Sequence, residues 1–120
     1  MPGLQFPRRL RLLRPEDFRQ VFERPQRAKS AGLMVLARNN GLAHPRLGLA
    51  ISKKTLPLAV QRNRIKRLSR ETFRHLQQQL GGIDIVVLSR HGLATQDNAQ
   101  VRQALEKHLI TLASRCDKLS

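Results

Sequence analysis

The chain has 120 residues, enough for one domain with its own core, and 40% of them are hydrophobic, which excludes a compositionally disordered polymer. Its 23 Lys and Arg oppose eight Asp and Glu, giving a net charge of +15 and a pI near 11.9. Such a field repels itself unless a polyanion neutralises it, so nucleic acid is the leading partner and an anionic membrane surface the weaker one. The single cysteine, Cys116, excludes an internal disulfide framework and fits a reducing cytoplasm, and no apolar run is long enough to span a membrane.

Residues 1–13 read as an irregular basic arm. The stretch MPGLQFPRRLRLLR is Arg-rich, as targeting segments are, but it has two prolines, no Ser and no apolar core for a signal. An arm facing RNA fits it better. Pro15 then stands where a first helical residue should, with Glu16 and Asp17 in the first turn, although Arg14 is a poor cap. Phe18, Val21 and Phe22 follow at helical spacing, and the helix should end before Pro25.

QRAKS (26–30) is read as beginning a first strand, GLMVLAR (32–38) as a strand closed by the turn Asn39-Asn40-Gly41, and RLGLAIS (46–52) as a clearer strand. In the last, Leu47, Leu49 and Ile51 share one face while Gly48, Ala50 and Ser52 leave room on the other. A basic helix spans residues 57–80, entered through Pro57 and stopped by Gly81-Gly82. IDIVVLS (83–89) has the continuous apolar character of a buried strand. After a turn at Arg90-His91-Gly92, a final helix runs from about Asp97 to Cys116 with Val101, Leu105, Leu109 and Leu112 on one face. The succession predicts helices packed on a small sheet, in a single domain of residues 1–120.

The basic helix carries the functional signal. In AVQRNRIKRLSRETFRHL (59–76), six cations fall between Arg62 and Arg74 against one acid, Glu71. At helical spacing Ile65, Leu68, Thr72 and Leu76 form a mostly apolar stripe. Asn63, Lys66, Arg67, Arg70 and Arg74 form a second face, flanked by Arg62 and Arg64. From Arg62 to Arg74 the cations extend over about 18 Å. A solvated charged face would normally mix signs at four-residue spacing; this one does not, which favours a bound polyanion. Arg outnumbers Lys, which favours bidentate contacts to phosphate and base edges. Charge alone does not separate RNA from DNA. A ribosome-associated structural RNA-binding protein and a DNA-binding regulator share it, although no helix-turn-helix pair is visible.

The string narrows the choice. SKK (52–54), a short spacer and AVQRNRIKRLSRE (59–71) closely resemble the RNR segment of the protein subunit of bacterial ribonuclease P. FPRRLRLLRPEDFRQVF (6–22), RLGLAISKK (46–54) and DIVVLSRHG (84–92) are similar to the same family in order and spacing, and PQRA (25–28) with AHPRLGL (43–49) looks most like its proteobacterial branch. The resemblance implies an α+β fold, a two-layer α/β sandwich of αβββαβα order, with a small mixed sheet and a left-handed crossover through the basic helix. It implies a catalytic RNA partner that removes the 5′ leader of precursor tRNA, holds the magnesium and carries the active site. No protein partner and no membrane are required. Carried residue by residue, Arg62, Asn63, Arg64, Lys66, Arg67 and Arg70, with Arg74 beyond them, would face the catalytic RNA. Phe18, Phe22, Lys53, Lys54 and Arg90 would line the leader-binding cleft. The chemistry suits this role, since rings stack on unpaired bases and cations track phosphates. For Phe18 and Phe22, helix-to-sheet packing is an equal reading. The family often places an aromatic on the first long strand, where LMVLAR has none.

No protein-borne catalytic or metal site is expected. His44, His75, His91 and His108 are scattered, and no Cys or His pair has ligand spacing. Asp84, opening an apolar strand, is expected to cap or pair with a cation, Asp97 to serve the last helix's N-terminus, and Cys116 to be a small apolar residue rather than a nucleophile.

Overall fold

The apolar run Ile83–Ser89 becomes the strand on which everything else is built. In the computed structural model, which describes residues 7–30 and 32–118, the elements follow the order α1 (Pro15–Phe22), β1 (Gln26–Ser30), β2 (Leu33–Asn39), β3 (Arg46–Ala50), α2 (Ala59–Leu80), β4 (Ile83–Ser89) and α3 (Asn98–Lys118). The four strands form one mixed sheet in the order β1-β2-β4-β3. β1 pairs antiparallel with β2, and β2 antiparallel with β4. β3 lies parallel to β4, so α2 is the crossover between parallel neighbours. A central strand flanked on both edges and covered on both faces has no use for polar alternation, which is why IDIVVLS reads as unbroken hydrophobicity.

The period-two pleat divides the sheet into two unequal sides. Leu33, Val35, Ala37, Leu47, Ile83, Ile85 and Val87 point to one side, where α2 and α3 close a dry core with Ile65, Leu68, Phe73, Leu105, Leu109 and Leu112. On the other side Leu36 and Val86 meet Val21 of α1 and Leu12, while Met34, Ala50, Leu88 and Phe18 are only partly buried. A single eight-residue helix is too short to cover a four-stranded sheet, so that side stays partly open.

Several local expectations hold. Pro15 begins α1 with Glu16 and Asp17 in its first turn, and no side chain caps it at Arg14. At the start of α3, the Gln100 N–H donates to Asp97 Oδ1 and the Asp97 N–H to Gln100 Oε1, both at 2.8 Å, a reciprocal capping box. Gly81 ends α2 with φ +69°, a conformation that disfavours any side chain.

Two expectations need correction. The stripe on α2 is wider than Ile65, Leu68, Thr72 and Leu76, because Ser69, Phe73 and Leu80 are buried as well and Leu76 is only partly so. The helix packs against α3 as well as the sheet, so its contact surface covers more of its circumference than one seam. The Ser69 and Thr72 hydroxyls remain satisfied by donating to the Ile65 and Leu68 carbonyls at 2.8 Å. The arm is also less irregular than expected. Arg8–Leu10 form a 3-10 turn, Leu10 and Leu12 are buried, and the Leu12 N–H donates to the Leu47 carbonyl at 2.9 Å. The cause is the sheet edge: β3 would otherwise present unpaired backbone groups, and residues 10–12 cover them. Residues 1–6 of the arm lie outside the described residues.

Candidate nucleic-acid interface

On α2 the buried stripe turns the opposite face outward. Asn63, Arg67 and Arg70 are exposed, and Lys66 and Arg74 half-buried. The two flanking arginines have local partners. Arg62 folds back so that one guanidinium nitrogen, NH1, donates to the Leu56 and Pro57 carbonyls at 2.8 and 2.7 Å, fastening the loop that leads into the helix. Arg64 leans the other way and donates to Gln61 Oε1 at 3.1 Å and to Asn98 Oδ1, at the start of α3, at 2.8 Å. The lone acid, Glu71, sits between Arg67 at 3.9 Å and Arg102 at 3.5 Å. These pairs are long and exposed, so they hold the cations only weakly. The face therefore offers a row of donors on a rigid rod, with little internal neutralisation.

Of the other predicted residues, Phe18 and Phe22 stand on α1, while Lys53, Lys54 and Arg90 follow the ends of the parallel neighbours β3 and β4. Cross-strand register places Lys29, Met34, Leu88 and Ala50 in one row and Arg27, Leu36, Val86 and Gly48 in the next. Phe18 lies over Gly48: a Cβ at that glycine would stand 2.6 Å from the ring. The small-residue face of β3 thus exists to receive an aromatic ring. Phe18 is half-buried and packs with Leu12 and Val21, whereas Phe22, one turn along the same side of α1, is 46% exposed. One ring is packed and the other is presented. No aromatic stands on β2, and Met34 occupies the open floor instead.

Lys53 and Lys54 are brought to Arg90 by a hydroxyl clamp. The Ser52 N–H donates to Ser89 Oγ at 2.9 Å, the Thr55 and Ser89 hydroxyls meet at 2.6 Å, and those of Ser52 and Thr55 at 2.9 Å. The turn carrying the lysines is fixed against the end of β4, immediately before Arg90, and all three cations are exposed.

At the opposite end of the same side, Arg46 joins α1 to the sheet. Its Nε and NH2 donate to the two oxygens of the buried Asp84 at 2.8 and 2.7 Å, its NH1 lies 3.6 Å from Asp17 of α1, and Asn40 Nδ2 donates to Asp84 at 2.9 Å. The Asp84 hydrogen bonds raise the Arg46 pKa above its ordinary value, so the guanidinium stays charged. The expected pairing of Asp84 is found, but sequence reasoning did not identify Arg46 as its partner, nor Asp17 as the second carboxylate beside that guanidinium. It also missed Arg27, Lys29 and Met34. Alternation within QRAKS, once its pairing with β2 is known, puts the two cations on the open side.

Among the described residues, no three His, Cys, Asp or Glu come together as metal ligands, and no helix is long and apolar enough to cross a membrane. Cys116 is buried, which pushes its thiol pKa up and away from nucleophilic use. His108 is buried on α3, 2.9 Å from the Ser30 hydroxyl of β1.

Residues 6–113 match the family model described as Ribonuclease P. The chain is 54% identical over 114 residues to the ribonuclease P protein component of Methylococcus capsulatus, covering 95% of this chain and 89% of that protein. It is 53% identical over 107 residues to that of Proteus mirabilis, covering 89% and 90%. Among solved structures it is similar to the RNase P protein of Staphylococcus aureus (TM-score 0.76, 31% identity, 83% of this chain and 92% of that one). It is also similar to that of Thermotoga maritima (TM-score 0.73, 33% identity, 84% and 96%). Sequence likeness and backbone likeness thus cover the basic helix, the sheet and the partly open side alike, and the chain belongs to the ribonuclease P protein family.

Proposed function

We propose that the chain binds the catalytic RNA of ribonuclease P through the outward face of α2 and the 5′ leader of precursor tRNA across the α1 side of the sheet. The RNA performs the hydrolysis that leaves the mature 5′ end. The observation that carries this reading is the pairing of two unlike surfaces on one small sheet. One is a rigid cationic helix face, suited to the closely spaced phosphates of a folded RNA. The other is an open trough with a packed ring, an exposed ring, an apolar floor and cations at its ends, suited to unpaired nucleotides. Magnesium is held by the RNA, with no ion held by protein side chains alone, and the particle works in the cytoplasm. Arg70 belongs to both surfaces, since it shares a hollow with Phe18 and Gly48 while standing in the α2 row.

The test is cleavage of a 5′-extended precursor tRNA by a bacterial ribonuclease P RNA at low magnesium, with and without the protein. Protein-dependent release of the leader at the mature 5′ end is expected, and no cleavage by protein alone. Tight binding to the RNA without stimulation, even with a closely related RNA, would overturn the reading in favour of a structural RNA-binding role.

A further inference from the structure

The described part of the arm presents arginines from a fixed backbone. Buried Leu10 and Leu12 anchor it, the Leu12 N–H is bonded to Leu47, and the Leu10 and Arg11 N–H groups donate to the Pro7 and Arg8 carbonyls at 3.0 and 3.1 Å. Arg8, Arg9, Arg11 and Arg14 are all exposed, and with Asp17 and Arg46 they line one hollow. The two acids nearby do little to neutralise it. Asp17 is turned toward Arg46, and Glu16 meets Arg14 at 3.8 Å with both side chains exposed. Arg8, Arg9 and Arg14, gathered with Arg11 around one concavity, repel one another, and an anion entering it relieves that repulsion.

The position of the hollow says which anion. Asp17 and Arg46 place it on the α1 side of the sheet, not on the outward face of α2. Arg11 and Leu13 line both this hollow and its neighbour, which Phe18, Gly48, Leu49 and Arg70 also line, so the two adjoin. Along β3, from Arg46 to the lysine turn, the trough measures about 20 Å. The exposed Lys53, Lys54 and Arg90 mark one end and the arm arginines the other. Among the described residues that line the basin, Leu13 is the only apolar side chain and none is a ring, so what they offer is a grip on phosphates rather than a reading of bases.

We propose that Arg8, Arg9, Arg11 and Arg14 form a second phosphate-binding station for the single-stranded 5′ leader, at the end of the trough opposite Lys53, Lys54 and Arg90. This rests on the leader reading given above. It makes the N-terminal segment part of the substrate path, with a grip that is independent of leader sequence.

The test compares the reconstituted holoenzyme carrying Arg8→Ala/Arg9→Ala/Arg14→Ala with the unaltered one. Affinity for mature tRNA and for a precursor with a leader of about 16 nucleotides, long enough to span the trough, is measured across salt concentration. Each single-strand phosphate contact contributes roughly 0.7 to the log–log salt slope, so the variant's slope for the precursor should be shallower by about 2 and that for mature tRNA unchanged. The Arg→Lys triple variant should retain most of the slope, and an unaltered melting temperature confirms that the Leu10 and Leu12 anchors hold. A photo-crosslinker on Arg9→Cys should label the leader; buried Cys116 does not compete for the reagent. Labelling of the catalytic RNA or the tRNA body instead, or equal losses for precursor and mature tRNA, would overturn the proposal. Phe18→Ala separates the two failures. If Phe18→Ala weakens precursor binding more than mature tRNA binding while the arm variant weakens both equally, only the arm assignment fails. If both variants weaken the two substrates equally, the leader reading fails with it.

Discussion

The outward face of α2 and the trough on the α1 side are both cationic, but they are made in different ways. The α2 face comes from one continuous segment, and the same 3.6-residue period that buries Ile65, Leu68 and Phe73 turns Asn63, Arg67 and Arg70 outward. The trough is assembled from α1, all four strands and the turn at Lys53-Lys54, held in place by Arg46 at one end and the Ser52–Thr55–Ser89 hydroxyls at the other. A surface on one helix tolerates loss of a single member, because its neighbours are positioned independently. An assembled surface depends on its joints. Residues with no contact to RNA should therefore matter for the trough and hardly at all for the helix face.

The strongest way to break the contrast is Asp84→Ala. It takes from the largely buried Arg46 guanidinium its two shortest bonds, leaving only the 3.6 Å contact to Asp17 of α1, and removing one partner of such a pair costs roughly 3 kcal/mol. Denaturant unfolding should show that loss. In protein still folded, discrimination between precursor and mature tRNA should fall, with the salt slope for catalytic RNA alone unchanged. A fall in that slope would mean the two surfaces are not separable.

The two rings sharpen the comparison within the trough. Phe18→Ala should lower stability by about 2 kcal/mol, since the ring fills the space over Gly48, and also weaken precursor binding. Phe22→Ala should leave the melting temperature nearly unchanged while weakening binding of leader-bearing substrate by roughly 1 kcal/mol, the low end for a lost base stack. Equal losses for precursor and mature tRNA in both variants would assign the rings to packing alone.

On α2, Lys66→Ala/Arg67→Ala should weaken affinity for the catalytic RNA about tenfold and make its salt slope shallower by roughly 2, with no loss of melting temperature. Arg62→Ala should do the reverse: a smaller effect on the slope, but a stability loss of about 1 kcal/mol from the Leu56 and Pro57 carbonyls it leaves. An unchanged slope in the double variant would remove α2 as the phosphate-contacting face.

The smallest expected effect lies outside both surfaces. Burial, and secondarily Lys107, lowers the His108 pKa below its ordinary 6.5, so the unfolded chain takes up this proton before the folded one does. Stability is then highest with His108 neutral and declines as pH falls below about 6.5 toward the lower folded pKa. A melting series over that range should flatten in His108→Gln, with RNA affinity at neutral pH unaffected.

Much of the architecture could be read from local chemistry. Pro15, the Asp97 capping box, Gly81 and the unbroken run in β4 each declare an element boundary or a buried strand without reference to the rest of the chain. The α2 face was legible for the same reason, since it needs only one period. The RNR string and its companions were specific enough to indicate the family. What could not be read is everything that depends on which strand lies beside which. Arg27 and Lys29 are unremarkable in sequence until β1 pairs with β2. Arg46 finds Asp84 only because β3 runs parallel to β4, 38 residues away along the chain. Leu10 and Leu12 became buried because β3 turned out to be an edge that needed covering.

The sequence by itself determined the elements, the excess of positive charge, the polarity of the basic helix and the kinship to ribonuclease P proteins, because each of these rests on residues close together in the chain or on a contiguous string. Only the tertiary structure decided that Phe18 is packed while Phe22 is presented, that Arg62 serves a loop, and that arm, trough and α2 meet around Arg11 and Arg70. Those outcomes depend on strand order and on how much of a four-stranded sheet one short helix can cover, and neither is encoded within any single segment.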